Sequence, residues 1–193
     1  MDRGLIVYLH GFCSSPASWK SRLLAEEMTR RGRGAQFVCP QLSPVPAVAM
    51  ADVSALIETA LKESGGSVTL VGSSLGGHYA NHLSEKYGLP AVLINPATVD
   101  RLEVAKFVGE HANFHSGERF VFSEMHAAQL KAQVALPTPD NYWVLLETGD
   151  EVLDWRQAAD FYAGCRLTVL PGGDHSFTRF PEYIPQILEF AGI

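Results

Sequence analysis

The pentapeptide Gly72-Ser73-Ser74-Leu75-Gly76 carries the pattern G-x-S-x-G. A serine that is to attack a carbonyl must stand clear of the backbone. A sharp turn from strand to helix achieves this, and it leaves room only for glycine two residues to either side. Ser74 has Gly72 and Gly76 at those offsets, whereas Ser73 has Val71 and Leu75 and is the filler residue. A buried apolar run precedes the motif and a helical pattern follows it, which is the setting of a nucleophile elbow. The chemistry implied is acyl transfer through a covalent serine ester, and Ser74 then needs a base.

Seven histidines are available. In proteins built around such an elbow the chain order is serine, acid, histidine. His10, His78, His82, His111, His115 and His126 precede the late acids, and only His175 follows them. It lies in Gly172-Gly173-Asp174-His175-Ser176-Phe177, just past an apolar run, where an imidazole can swing over the edge of a sheet. The acid must hold the imidazole in one tautomer. Of Asp150, Glu151 and Asp154, Asp150 directly follows Gly149 at a strand end and fits. Asp154 has another task, as the N-cap of a helix with Gln157 three residues on. Asp100 is the reserve acid, and Asp174 is too near His175 in the chain to face it. His10 is expected to brace the adjoining loop, and His78 to line a pocket or pack. His111 and His115 could share a helix face, but with no third ligand nearby no metal is expected.

The negative oxygen that develops during acyl transfer needs N–H donors. Leu75, next after the nucleophile, supplies one. Phe12, in His10-Gly11-Phe12-Cys13, supplies the other, with Gly11 allowing close approach.

These residues must be positioned by strands and helices. Short apolar runs at residues 5–9, 36–39, 68–71, 91–94, 142–146 and 167–170 read as six buried strands. Helical patterns fill residues 16–31, 48–62, 74–87, 153–162 and 181–190, with Ser15 capping the first, Gly65-Gly66 closing the second and Pro185 inside the last. Strands buried on both faces and alternating with helices imply a parallel sheet. The expected fold is α/β, of the α/β-hydrolase type: a six-stranded, mostly parallel sheet in order 2-1-3-4-5-6. Helices cover both faces, and the lid is small or absent. That order reverses between strands one and three, where Phe12 and Ser74 follow their strands and where open sheets bind ligands.

Residues 1–193 read as a single domain, with a possible small lid within residues 98–140. Residues 102–108 and 124–134 in that stretch look helical. Its rings, Phe107, Phe114, Phe120 and Phe122, either complete the core or line an apolar acyl pocket. The net charge of −6 speaks against a nucleic-acid partner. Cys13, Cys39 and Cys165 are odd in number and show no CxxC spacing, which favours a reducing compartment. No segment approaches the roughly 18 apolar residues of a membrane span, and no signal peptide is recognisable. A cytoplasmic location is expected.

Several segments together resemble the YqiA-type bacterial esterases of the α/β-hydrolase superfamily. They are Tyr8-Leu9-His10-Gly11-Phe12, Ser14-Ser15-Pro16, the Gly72–Gly77 motif, Asn95-Pro96-Ala97, the segment from Thr148 through Asp154, and the histidine loop. The resemblance spans nearly the whole chain. It implies activity on carboxylic esters or acyl-CoA thioesters, the triad Ser74, Asp150 and His175, and no cofactor. Cys13 and Asp174 depart from it, each standing where asparagine is common or also seen. The partner expected is a small acyl ester or thioester. The alternatives are an acyltransferase using the same triad and a non-catalytic binding protein of this fold.

Overall fold

The computed structural model describes residues 4–64 and 67–193. Its main elements are β1 (Leu5–Leu9), α1 (Trp19–Arg30), β2 (Phe37–Val38), α2 (Pro46–Ser64), β3 (Val68–Ser73), α3 (Leu75–Tyr87) and β4 (Ala91–Ile94). There follow β5 (Gly109–Ala112), β6 (Arg119–Phe122), α4 (Glu124–Ala132), β7 (Tyr142–Glu147), α5 (Trp155–Phe161), β8 (Arg166–Leu170) and α6 (Phe180–Phe190). Six strands form one sheet in the order β2-β1-β3-β4-β7-β8, and every neighbouring pair is parallel. Counted among themselves they keep the expected order. The skipped numbers belong to an antiparallel hairpin, β5-β6, outside that sheet.

Side chains alternate across the sheet, as the two-residue period of a strand requires. Val7, Leu9, Leu70, Leu93 and Val144 face a core completed by Val53 and Ile57 of α2 and Leu83 of α3. Ile6, Tyr8, Val71, Val92 and Leu145 face the opposite core, completed by Leu24 and Met28 of α1 and Ile187 and Leu188 of α6. With both faces covered, only the rims are free to present loops. The carboxyl ends of β1, β3, β4, β7 and β8 share one rim.

Several local expectations change. Ser15 does not cap α1, which starts at Trp19; its Oγ instead accepts the Ala17 N–H at 3.1 Å within a turn. The proposed helix stop at Gly65-Gly66 lies outside the described residues. Residues 104–107 form only a short 3-10 turn, not a helix through 102–108. His111 lies in a strand and His115 in the hairpin turn beyond it, so they share no helix face. The last helix begins at Phe180 and contains Pro185. Asp154 is the N-cap of α5, its Oδ1 accepting the Arg156 N–H at 3.1 Å. Among the described residues no helix is long and apolar enough to cross a membrane.

Candidate active site

Ser74 occupies the single residue between β3 and α3, at φ 56° and ψ −121°. A non-glycine residue at positive φ costs on the order of 1–3 kcal/mol and persists only where its surroundings over-determine it. Here they do. The Ser74 N–H donates to Ile94 at 3.0 Å, and its carbonyl accepts from Gly77 at 2.9 Å and Ala97 at 3.0 Å. A methyl group on Gly72 would collide with the Gly76 carbonyl, and one on Gly76 with the Leu9 carbonyl. The two glycines are therefore steric requirements of this turn.

Three of the singled-out side chains meet at the shared rim. Ser74 Oγ lies 3.0 Å from His175 Nε2, and His175 Nδ1 lies 2.8 Å from Asp150 Oδ2. A carboxylate can only accept, so the ring proton sits on Nδ1 and the Nε2 lone pair faces the serine hydroxyl. The Asp150 side chain is 2 % exposed, and its Oδ1 accepts the N–H groups of Val152 at 2.9 Å and Leu153 at 2.8 Å. Burial pushes this carboxyl up, but the imidazole and the two N–H donors outweigh it and hold it below its ordinary value. Asp100 and Asp174 do not join this chain of contacts. His78 is buried against α4, its Nε2 3.1 Å from the Leu130 carbonyl, and burial lowers it to about 4.

The backbone of the histidine loop is gripped from several directions. Asn95 Nδ2 donates to the carbonyls of Asp174 at 3.0 Å and His175 at 3.3 Å, while its Oδ1 accepts the Glu147 N–H at 3.0 Å. Glu147, fully buried at the end of β7, accepts the Asp174 N–H at 2.8 Å. Glu151 accepts the His175 N–H at 3.0 Å, and Lys20 Nζ donates to the Ser176 carbonyl at 2.6 Å. Burial lowers the Lys20 ammonium to about 8, against the pull of the Asp174, Glu147 and Asp150 carboxylates. Gly173, at φ 76°, lies so close over the Glu147 carboxylate that a Cβ there would overlap it. Sequence reasoning missed Asn95, Glu147 and Lys20. An acid ending the otherwise apolar run of β7 was the one available signal.

On the other side of Ser74 lies the loop after β1. Gly11 packs against Ser74, where an added Cβ would stand 3.4 Å from the Ser74 Cβ. His10 ties the loop down: its Nε2 accepts the Leu42 N–H at 3.1 Å, which leaves Nδ1 to donate to the Gly11 carbonyl at 3.0 Å. Among the described residues, neither the Phe12 nor the Leu75 N–H donates to a protein acceptor. Both are thus available to a ligand.

The sequence matches the family described as "Uncharacterised protein family (UPF0227)" over residues 5–192. The chain belongs to the UPF0227 family. This is the YqiA-like family that the motifs resemble. The fold is also shared with solved α/β-hydrolases. A structure from a study of LipS and LipT, two metagenome-derived lipolytic enzymes, is 16% identical with a TM-score of 0.73, the match covering 99% of this chain and 94% of that one. Alpha/beta hydrolase domain-containing protein 10 from mouse is 19% identical with a TM-score of 0.69, covering 98% and 89%. Est1E from Butyrivibrio proteoclasticus is 14% identical with a TM-score of 0.67, covering 100% and 90%. At these identities the likeness is one of fold.

Two cavities flank the Phe12 loop of this UPF0227 chain. The larger, about 500 Å³, opens over Ser74 and His175 and is walled by Val99, Leu102, Val104, Phe107, Phe122 and Leu130. Phe114 and Val152 stand exposed at its rim. The smaller, about 210 Å³, lies beyond the loop among His10, Gln41, Ser43, Asp52, Tyr79 and Glu118, and does not include Ser74. Phe107 and Phe122 of the 98–140 stretch line the apolar cavity, and both pack on Phe12 together with Phe120.

Proposed function

We propose that this protein is a serine hydrolase that cleaves carboxylic esters or acyl-CoA thioesters of apolar acids through an acyl-enzyme on Ser74. The observation that carries this reading is the relay from Ser74 through His175 to the buried Asp150, with contacts of 3.0 and 2.8 Å. Ser74 Oγ attacks the acyl carbon as His175 Nε2 takes its proton, and Asp150 stabilises the resulting imidazolium. The oxyanion faces the Phe12 and Leu75 N–H groups at the start of α3, where the helix dipole adds a favourable field. The C–O or C–S bond then breaks, and His175 returns the proton to the leaving group. Water, activated by His175, releases the acid. Nothing in this sequence of steps calls for a metal or organic cofactor.

The apolar cavity over Ser74 supports an acyl group without charge, and residues 98–140 act as a small lid over it. The direct test is turnover of a p-nitrophenyl ester by wild type, Ser74→Ala and Ser73→Ala, with fluorophosphonate labelling of each. Loss of turnover and labelling in Ser74→Ala alone is the expected result. Turnover by Ser74→Ala near the wild-type rate would defeat the reading.

A further inference from the structure

Phe12 belongs to two structures at once. Its backbone N–H is the proposed oxyanion donor. Its ring stands edge-on to those of Phe107 at 6.1 Å, His111 at 4.8 Å, Phe120 at 5.7 Å and Phe122 at 5.4 Å between centroids. His111, Phe120 and Phe122 form the inward face of the β5-β6 hairpin, whereas Glu110, Arg119 and Val121 face outward and are exposed. A two-stranded ribbon alone is marginal in water and must lay its apolar face on something. In this protein it lies on Phe12.

The hairpin turn holds the same loop by hydrogen bonds. The Phe114 N–H donates to the Cys13 carbonyl at 2.7 Å, and Asn113 Nδ2 donates to the Ser14 carbonyl at 2.7 Å. Asn113 Oδ1 meanwhile accepts the N–H groups of His115 at 2.9 Å and Ser116 at 3.0 Å. One side chain both closes the turn and ties it to the loop. Cys13, whose carbonyl takes the first of these tethers, sits at φ 57°, a conformation that needs such external constraint.

An oxyanion donor acts through being fixed in place before the charge develops. We infer that the β5-β6 hairpin is a working part of the oxyanion site, with Asn113 and Phe120 as positioning residues that hold the Phe12 N–H toward the developing charge. The inference rests on the reading of Ser74 as nucleophile and Phe12 as donor. It also links the acyl pocket to the chemistry. Phe107 and Phe122 line the cavity over Ser74, so an acyl chain that fills it presses on the rings that grip Phe12. Part of its binding energy then reaches kcat as well as KM.

Two variants separate this role from simple folding. Asn113→Asp keeps the oxygen that closes the turn but sets a carboxylate oxygen against the Ser14 carbonyl. Phe120→Leu keeps an apolar side chain but removes a ring edge from Phe12. Glu110→Gln, in an exposed ion pair with Arg119 at 2.8 Å on the outer face, is the control. Each is assayed for kcat and KM on a short aryl ester and for affinity toward two ligands. One is an alkyl trifluoromethyl ketone, whose adduct on Ser74 carries the oxyanion; the other is the free acid product. Asn113→Asp and Phe120→Leu are expected to lower kcat by about ten- to a hundredfold and to weaken the ketone by the same factor. KM and acid affinity stay within about twofold, because those interactions are made equally in the ground state. Partial unfolding would lower the titre of active sites and leave ketone affinity intact. Should Asn113→Asp not fold, Phe120→Leu decides alone. Wild-type kcat and ketone affinity in the folded variants overturn the inference, while the hydrolase reading survives if Ser74→Ala is inactive. Wild-type enzyme without Ser74-dependent turnover overturns both.

Discussion

Asn95 donates a hydrogen bond to the backbone carbonyl of His175 across 3.3 Å, although the two lie 80 residues apart in the chain. The same carboxamide accepts the Glu147 N–H, so one side chain joins the ends of β4 and β7 to the loop that carries the proposed base. Asn95 itself sits at φ 40°, which asparagine tolerates better than most residues.

Asn95→Ala should therefore act on both stability and rate. It strands the buried Glu147 N–H, at a cost of about 1–3 kcal/mol, and adds backbone strain. The expected result is a lower urea midpoint together with a reduced kcat in the fraction that remains folded. A variant with the wild-type midpoint would show that the contact is dispensable.

Asp150→Asn should reduce kcat about 10⁴-fold, because a carboxamide can present its N–H to His175 and favour the wrong tautomer. A stability effect accompanies it. The Asp150 carboxyl is held below its ordinary 3.8 in the folded chain, so its stabilisation is fully present above that value and fades as pH falls through the folded one. Unfolding free energies of wild type and Asp150→Asn, compared from about pH 3 to 7, should converge at the acid end. A gap independent of pH would contradict this assignment.

Lys20 predicts the opposite flank. Its folded value of about 8 lies below the ordinary 10.5, so between these the unfolded chain binds more protons than the folded one. Stability from this group thus rises with pH across that window. Chemical denaturation at a series of alkaline pH values should show wild type gaining on Lys20→Met. Parallel curves for the two proteins would mean that Lys20 does not titrate there.

Leu102→Trp should shorten the acyl preference by filling the cavity over Ser74. Each methylene lost from an apolar pocket is worth about 1–3 kcal/mol. The ratio of kcat/KM for p-nitrophenyl decanoate over butyrate should fall by at least about tenfold. An unchanged ratio would move the acyl group out of this cavity.

Ser74, Asp150 and His175 were legible as candidates because each follows an apolar run at a position with a local signature: glycines forced by a tight turn, or a loop just past a strand. The strand order followed from the same runs. Asn95 and Lys20 gave no sign of their role, and Glu147 only that of an acid ending an apolar run. Each acts on the backbone of a loop 79, 27 or 156 residues away, and linear spacing does not encode such contacts. The hairpin was hidden for another reason. Its strands have four residues each, too few for alternation to stand out, and His111 is a weak signal for an inward face. The short turn at residues 104–107 likewise mimicked the start of a helix.

Gly173 rests directly on the Glu147 carboxylate, with no space for even a methyl group. Position 173 therefore admits no side chain for as long as residue 147 is a full-length glutamate. A randomised library spanning the histidine loop should return glycine there in every survivor, or else a paired shortening at 147. Diversity in the chemistry of such proteins has to be sought instead across the cavity, in the stretch between β4 and β7, where side chains have neighbours that can yield.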